Sequence, residues 1–380
     1  MTTHTIKNEQ EIEDLIRGAT FLGTGGGGTP KIGFDLLRME VKEGKKLGWI
    51  DLEEVPDEAW TATVTFMGNR APLTQEQEAQ KEKIGLIQVK YEKNLLRAAQ
   101  VLQEFTGRRI EAIVAPEIGG ANIPGPMAVA AALGVPLVDG DYSGRAVPEI
   151  AQCTPCLAGK SILPIVSVDK WGNVCIVQES ANDDVIERIG KMLATAAFGN
   201  TGLAGFLLPG REVKALAIRG TLTESLRLGE VIRKARERGE DPVHKAIEFC
   251  KGWLLFKGKV SEKEWSVIDG YYCGFHRFQG IDEFKGQRFK TWFKNETHIS
   301  WRNGHPFVTS PDLMIQGDLL SGDPITNHEL QNGQEVAIIG IRARDFYRTG
   351  RGLRALEPRH FGFEMDHIPV EELMDKLENP

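Results

Sequence analysis

Apolar residues recur at helical spacing over Ile12, Leu15, Ile16 and Ala19, which predicts an amphipathic helix at the start of the chain. Similar spacing predicts helices from Pro30 to about Val41, over Asn94–Phe105 and over the alanine-rich stretch Pro126–Leu133. Between them the pattern switches to short β-rich runs: Thr61–Met67, Ala112–Ala115 and Pro136–Val138. Helices alternating with short buried strands predict an α/β layer architecture over residues 1–166.

From about Ser167 the pattern changes. Val166–Val177 reads as a hairpin turning through Asp169-Lys170-Trp171-Gly172-Asn173, and Asp183–Ala197, Ser225–Arg238 and Val243–Phe249 read as helices. Short strands then dominate: Trp253–Lys257, Trp265–Tyr272, Arg288–Phe293, Ile299–Trp301 and Glu335–Ile341. Short strands with frequent turns predict a β-barrel or sandwich carrying helical insertions over residues 167–370.

Composition narrows the class. The chain has 380 residues, 26% charged and 41% hydrophobic, with a net charge of −7. Two domains fit that length, and the acidic balance offers no footprint for nucleic acid. No apolar run approaches the ~20 residues of a membrane span, and the N-terminus does not read as a signal peptide. Five cysteines, an odd number, point to a reducing cytoplasm rather than a disulfide framework.

The candidate chemistry lies in loops at predicted strand ends, where open α/β sheets place their ligands. Gly23-Thr24-Gly25-Gly26-Gly27-Gly28 can present backbone N–H groups as an anion nest. It follows a helix rather than a strand and lacks Gly-Lys-Ser/Thr, so the context argues against a nucleotide loop; an anion or substrate-backbone site and a structural turn remain as readings. Strand ends also carry Gly68-Asn69-Arg70-Ala71-Pro72, Glu117-Ile118-Gly119-Gly120-Ala121-Asn122 and Asp139-Gly140-Asp141. Asp139 and Asp141 could form an acid–base pair or cap the next helix, and Arg145 could clamp a substrate carboxylate. Asn295 and Glu296 end a strand, with Glu296 a general base, a metal ligand or a turn carboxylate. Cys273, His276 and His298 are candidate zinc ligands if strand pairing puts them on one face. Cys153-Thr-Pro-Cys156 is a single CxxC, read as packed thiols before zinc or redox.

Taken in order, Leu22–Gly28, Met67-Gly68, Glu117–Asn122, Asp139–Asp141 through Arg145 and Glu149, Asp169, Asn295-Glu296, Pro311-Asp312-Leu313 and Phe361-Gly362 resemble the S-methyl-thiohydantoin desulfurase family over nearly the whole length. Met67–Pro72 departs from it, being longer than the expected Met-Gly-x-Pro. The resemblance implies an N-terminal three-layer α/β sandwich and a C-terminal β-barrel-like domain. It also implies a hydrolase-like enzyme acting on a hydantoin, thiohydantoin or related cyclic amide; a related member is a metal-dependent desulfhydrase of a 2-thiohydantoin propionate. On that reading Gly25, Gly26, Gly27, Gly28, Gly119, Gly120, Asn122 and Asn295 bind substrate, while Asp139, Asp141, Arg145 and Glu296 carry the chemistry. A divalent metal, zinc first, is the expected cofactor and no nucleotide is expected. A small-molecule substrate is the expected partner, with a homo-oligomer or a hydantoinase-type assembly as a further association. The competing class is a non-catalytic accessory or metabolite-binding subunit.

Overall fold

The computed structural model describes residues 4–68 and 73–378; the loop read at 69–72 lies outside the described residues. One mixed sheet holds β1 (His4–Thr5), β2 (Gly48–Ile50), β3 (Trp60–Gly68), β4 (Ala112–Ala115), β5 (Leu137–Asp141), β6 (Ile165–Val168), β7 (Val174–Val177), β8 (Asn200–Pro209) and β9 (Ile218–Arg219). Its order is β1-β2-β5-β4-β3-β8-β6-β7, with β9 beside β5. Strands β2, β5, β4 and β3 run parallel, whereas β8, β6 and β7 are antiparallel. Ile113, Val114, Leu137 and Val138 are fully buried, as expected for parallel strands covered on both faces.

The helices are α1 (Glu9–Leu22), α2 (Pro30–Lys42), α3 (Gln75–Lys83), α4 (Asn94–Thr106), α5 (Pro124–Leu133), α6 (Thr154–Leu157), α7 (Asp183–Ala196), α8 (Gly210–Leu216), α9 (Thr221–Glu237), α10 (Pro242–Cys250), α11 (Gly350–Leu356) and α12 (Val370–Glu378). Local chemistry sets their ends. Asn8 and Asn182 accept the Glu11 and Val185 amides at 3.0 Å and so cap α1 and α7. Gly107 and Gly134 stop α4 and α5 in the left-handed conformation. Helix α1 crosses α9 backbone to backbone: a Cβ at Gly18 would lie 1.8 Å from Ser225 O, and one at Gly229 equally close to Asp14 O. That contact fixes α1, whose last turn launches the glycine run.

The second sheet is antiparallel: β10 (Trp253–Ile268), β11 (Tyr271–Gly280), β12 (Arg288–Lys294), β13 (Glu296–Arg302), β14 (His305–Thr309), β15 (Leu313–Asp318) and β16 (Glu335–Ile341), ordered β14-β13-β12-β11-β10-β16-β15. It curls around Phe256, Phe278, Phe289, Met314 and Ile338 into a half-barrel, more open than the barrel expected, because β14 and β15 sit at opposite ends of the pairing order. Two further expectations are corrected. The hairpin β6–β7 and strand β8 join the first sheet, so the change of sheet falls between β9 and β10 rather than near residue 167. The run Trp265–Tyr272 is broken by a turn at Asp269 and Gly270, both at positive φ. Among the described residues no helix is long and apolar enough to cross a membrane.

Candidate functional site

The two sheets meet along the glycine run. Thr297 N–H donates to Thr24 O at 2.9 Å, and Asn327 N–H to Gly25 O at 2.8 Å, which stitches the run to the half-barrel. On its other side it interleaves with the turn after β4. Ala121 N–H donates to Gly27 O at 2.9 Å, and a Cβ at Gly27 would lie 2.6 Å from Gly119 Cα. Only glycine allows two backbones this close, and Gly25, Gly27 and Gly28 also take positive φ. Beside this seam lies a cavity of ≈ 250 Å³, at the carboxyl ends of β3 and β4 and against the start of β13. Its volume suits a small heterocycle better than a nucleotide.

The run cradles a carboxyl group of the protein itself. A Cβ at Gly26 would lie 1.8 Å from Glu296 Oε1, and the Gly27 amide donates towards the same carboxyl. Glu296 is 2% exposed, and its Oε2 has no hydrogen-bond partner among the described residues. Burial pushes its pKa up to about 7, against the opposing pull of the Arg145 charge. Glu117, the second residue beyond β4, faces the same cavity. Its Oε1 accepts from Asn122 Nδ2 and its Oε2 from Val147 N, both at 2.6 Å. Burial first, then the Glu296 charge, holds the Glu117 carboxyl well above the usual carboxylate range. Two buried carboxyls with raised pKa values facing one cavity, the charge of Glu296 opposing ionisation of Glu117, are suited to proton transfer near neutrality.

The opposite wall comes from α7. Gly190 packs on Met67, and a Cβ at Gly68 would lie 2.7 Å from Ala194 Cβ, so α7 presses against the end of β3. This brings Glu187 and Lys191, both 5% exposed, to the cavity. Glu187 accepts from Ile150 N and from Tyr271 Oη, each at 3.1 Å. Lys191 Nζ is 3.4 Å from Glu187 Oε1 and 4.2 Å from the centre of the Tyr271 ring. At the rim, Glu149 bridges Lys294 and His360, which hold its carboxyl at a pKa of about 2 despite burial.

Of the residues singled out from sequence, Gly26, Gly27, Gly28, Asn122, Asn295 and Glu296 line the cavity. Gly25, Gly119 and Gly120 support it from behind, Gly25 against the Asn327 side chain and the other two in backbone contact with the glycine run. Asp139, Asp141 and Arg145 are not on the lining. Asp139 Oδ1 accepts the Leu222 and Thr223 amides at 3.0 and 3.1 Å and so caps α9. Asp141 Oδ1 accepts the Ser143 and Gly144 amides at 2.7 and 2.6 Å, closing its own turn. Arg145 donates to Ala146 O, Pro311 O and Thr24 Oγ1; it is a buried staple of the seam. Cys273 and His276 lie on β11 and His298 on β13. Among the described residues no group of three or more His, Cys, Asp or Glu is placed to hold a metal ion. His276 stacks on Phe293 at 4.6 Å, and burial keeps it neutral, with a pKa of about 3.

Glu117, Glu187 and Lys191 were not nominated from sequence, although each left a trace there. Glu117 is an acidic residue just past a strand end. Glu187 and Lys191 share α7 with Gly190 and Ala194, whose small side chains mark its packed face. Cys153 also reaches the cavity; burial raises its thiol pKa, which leaves it a weak nucleophile.

Family models for the S-Me-THD-like N-terminal domain and the S-Me-THD-like C-terminal domain match residues 10–179 and 181–370. A crystal structure of a protein from Chromobacterium violaceum is 24% identical, with a TM-score of 0.75, covering 95% of this chain and 98% of that one; at that identity it speaks for the fold. No curated protein matches.

Proposed function

Because the chain belongs to the S-Me-THD-like family, the S-methyl-thiohydantoin desulfurases, we propose that its interdomain cavity is the active site of a hydrolase acting on a thiohydantoin or related cyclic amide. The observation that carries this reading is the buried pair Glu117 and Glu296, with perturbed pKa values, facing a cavity of heterocycle size. Strongly shifted carboxyls in a cleft are functional-site candidates on physical grounds.

The chemistry follows from Glu117 keeping its proton where Glu296 begins to ionise, near neutrality. The ionised member takes a proton from water, whose oxygen bonds to the ring carbon bearing sulfur. The protonated member delivers a proton to the departing sulfur as the C–S bond breaks. Water and a 2-thiohydantoin give a hydantoin and hydrogen sulfide; with an S-methylated ring the product is methanethiol. Asn122 and Val147 N–H orient Glu117, and the glycine run orients Glu296, so neither carboxyl is free to rotate away. A divalent ion, zinc first, is a separate proposal, with Glu117 and Glu296 as the residues that would hold it. A stoichiometric ion in purified protein that is lost in Glu296→Gln would support it; an ion retained in that variant, or none in the wild type, would not.

The test is incubation of the protein with hydantoins, 2-thiohydantoins and S-methyl-thiohydantoins, following sulfide, methanethiol and ring opening. Thiol or sulfide release that is lost in Glu296→Gln supports the reading. Tight binding of a ring without turnover would favour the metabolite-binding alternative.

A further inference from the structure

The charge on Lys191 is only partly offset by its neighbours. Its ion-pair partner Glu187 already accepts from a backbone amide and a tyrosine hydroxyl. The Nζ–Oε1 separation of 3.4 Å is longer than the ~2.7–2.9 Å of a strong charge-assisted bond. The ammonium is nevertheless held firmly. A Cβ at Gly270 would lie 3.1 Å from Lys191 Cβ and Cδ, so the tip of the β10–β11 hairpin lies against its stem, with the Tyr271 ring below the charge. Lys191 therefore presents a held cation to the cavity wall, with no hydrogen bond from Nζ to any of the described residues. Its field reaches both Glu117 and Glu296, favouring their ionised forms.

We propose that Lys191 is a third catalytic residue of this site, a preorganised cation that takes the negative charge developing on the ring as water adds. The inference rests on the hydrolase reading above and adds to it the group that stabilises charge while the carboxyl pair moves protons. A buried ammonium, fixed before the reaction and shielded from bulk water, interacts with a developing anion far more strongly than one in solvent. No bond to Lys191 forms and no proton leaves it.

Two measurements test this. In steady-state turnover of the thiohydantoin substrate, Lys191→Met keeps the stem and removes the charge. We expect kcat to fall about a hundredfold or more with KM nearly unchanged, and Lys191→Arg to restore part of the rate. A raised KM with unchanged kcat would make Lys191 a ground-state anchor and overturn the proposal. The second measurement needs no turnover, so it reads the action of the Lys191 charge on an anionic ring separately from the hydrolase reading. Calorimetry compares the barbiturate monoanion, a flat ring carrying its charge in the ring, with uncharged hydantoin. Barbiturate affinity should drop at least about tenfold in Lys191→Met while hydantoin affinity stays constant. Equal barbiturate affinity in both proteins, or no barbiturate binding to the wild type, would overturn the proposal.

Discussion

Replacing Gly26 by alanine isolates the contact on which the site depends. Gly26 does not adopt positive φ, so alanine meets no backbone penalty there, and the cost must come from space. The new Cβ would lie 1.8 Å from Glu296 Oε1 and 2.5 Å from Cδ, inside any tolerable contact. Overpacking a tight site costs typically ~1–3 kcal/mol, and here the group that must yield is the carboxyl. In a Glu296→Ala background the obstruction is gone. Removing the carboxyl also relieves its burial: a pKa raised from 4.5 to about 7 corresponds to roughly 3 kcal/mol against the ionised form above pH ~8. Gly26→Ala should therefore cost ~1–3 kcal/mol in the wild type and close to nothing beside Glu296→Ala, a coupling energy in the range found for touching residues. Urea unfolding of the four proteins measures this as shifts in midpoint at constant slope. Equal destabilisation by Gly26→Ala in both backgrounds would refute the cradle.

Further outcomes follow from the same geometry. Asp139→Ala should lower stability by ~0.5–2 kcal/mol through the lost cap of α9 and leave turnover intact, as read by thermal melts and kinetics side by side. Asp141→Asn should likewise cost stability through its turn rather than abolish turnover; complete loss of rate in a stable protein would return Asp141 to the mechanism. Stability should also fall as pH rises from about 4.5 to about 7. There the folded protein keeps the Glu296 proton that the unfolded chain has released, so the native state binds more protons and the slope is negative. Glu296→Gln should flatten that slope in denaturant titrations across the same window.

The elements were largely legible because their signals are local. The period of α1 and α4, the β-rich run of β3 and the hairpin β6–β7 all emerge from spacing and turn residues. The sheet to which β6–β8 belong was not, because pairing partners are set by contacts between distant parts of the chain. The same limit divides the site. The glycine run and Glu296 stood out by composition and by position after a strand, but that one cradles the other depends on β13 reaching across from the second sheet. Asp139, Asp141 and Arg145 attracted notice by density of charge, and the structure uses that density for backbone hydrogen bonds at a buried bend. Glu187 and Lys191 look in sequence like an ordinary i,i+4 pair on a helix surface; only the packing of α7 on β3 and the hairpin tip turns them inward.

The protonation state of the carboxyl pair is the most direct measure of the account. Infrared titration of protein carrying 13C-labelled glutamate should show carboxylic acid absorption persisting near neutrality, at about pH 6.5, and weakened in each of Glu117→Gln and Glu296→Gln, because burial still acts on the carboxyl that remains. Glutamate carboxyls all ionised by about pH 5.5, with no band that responds to either substitution, would contradict it.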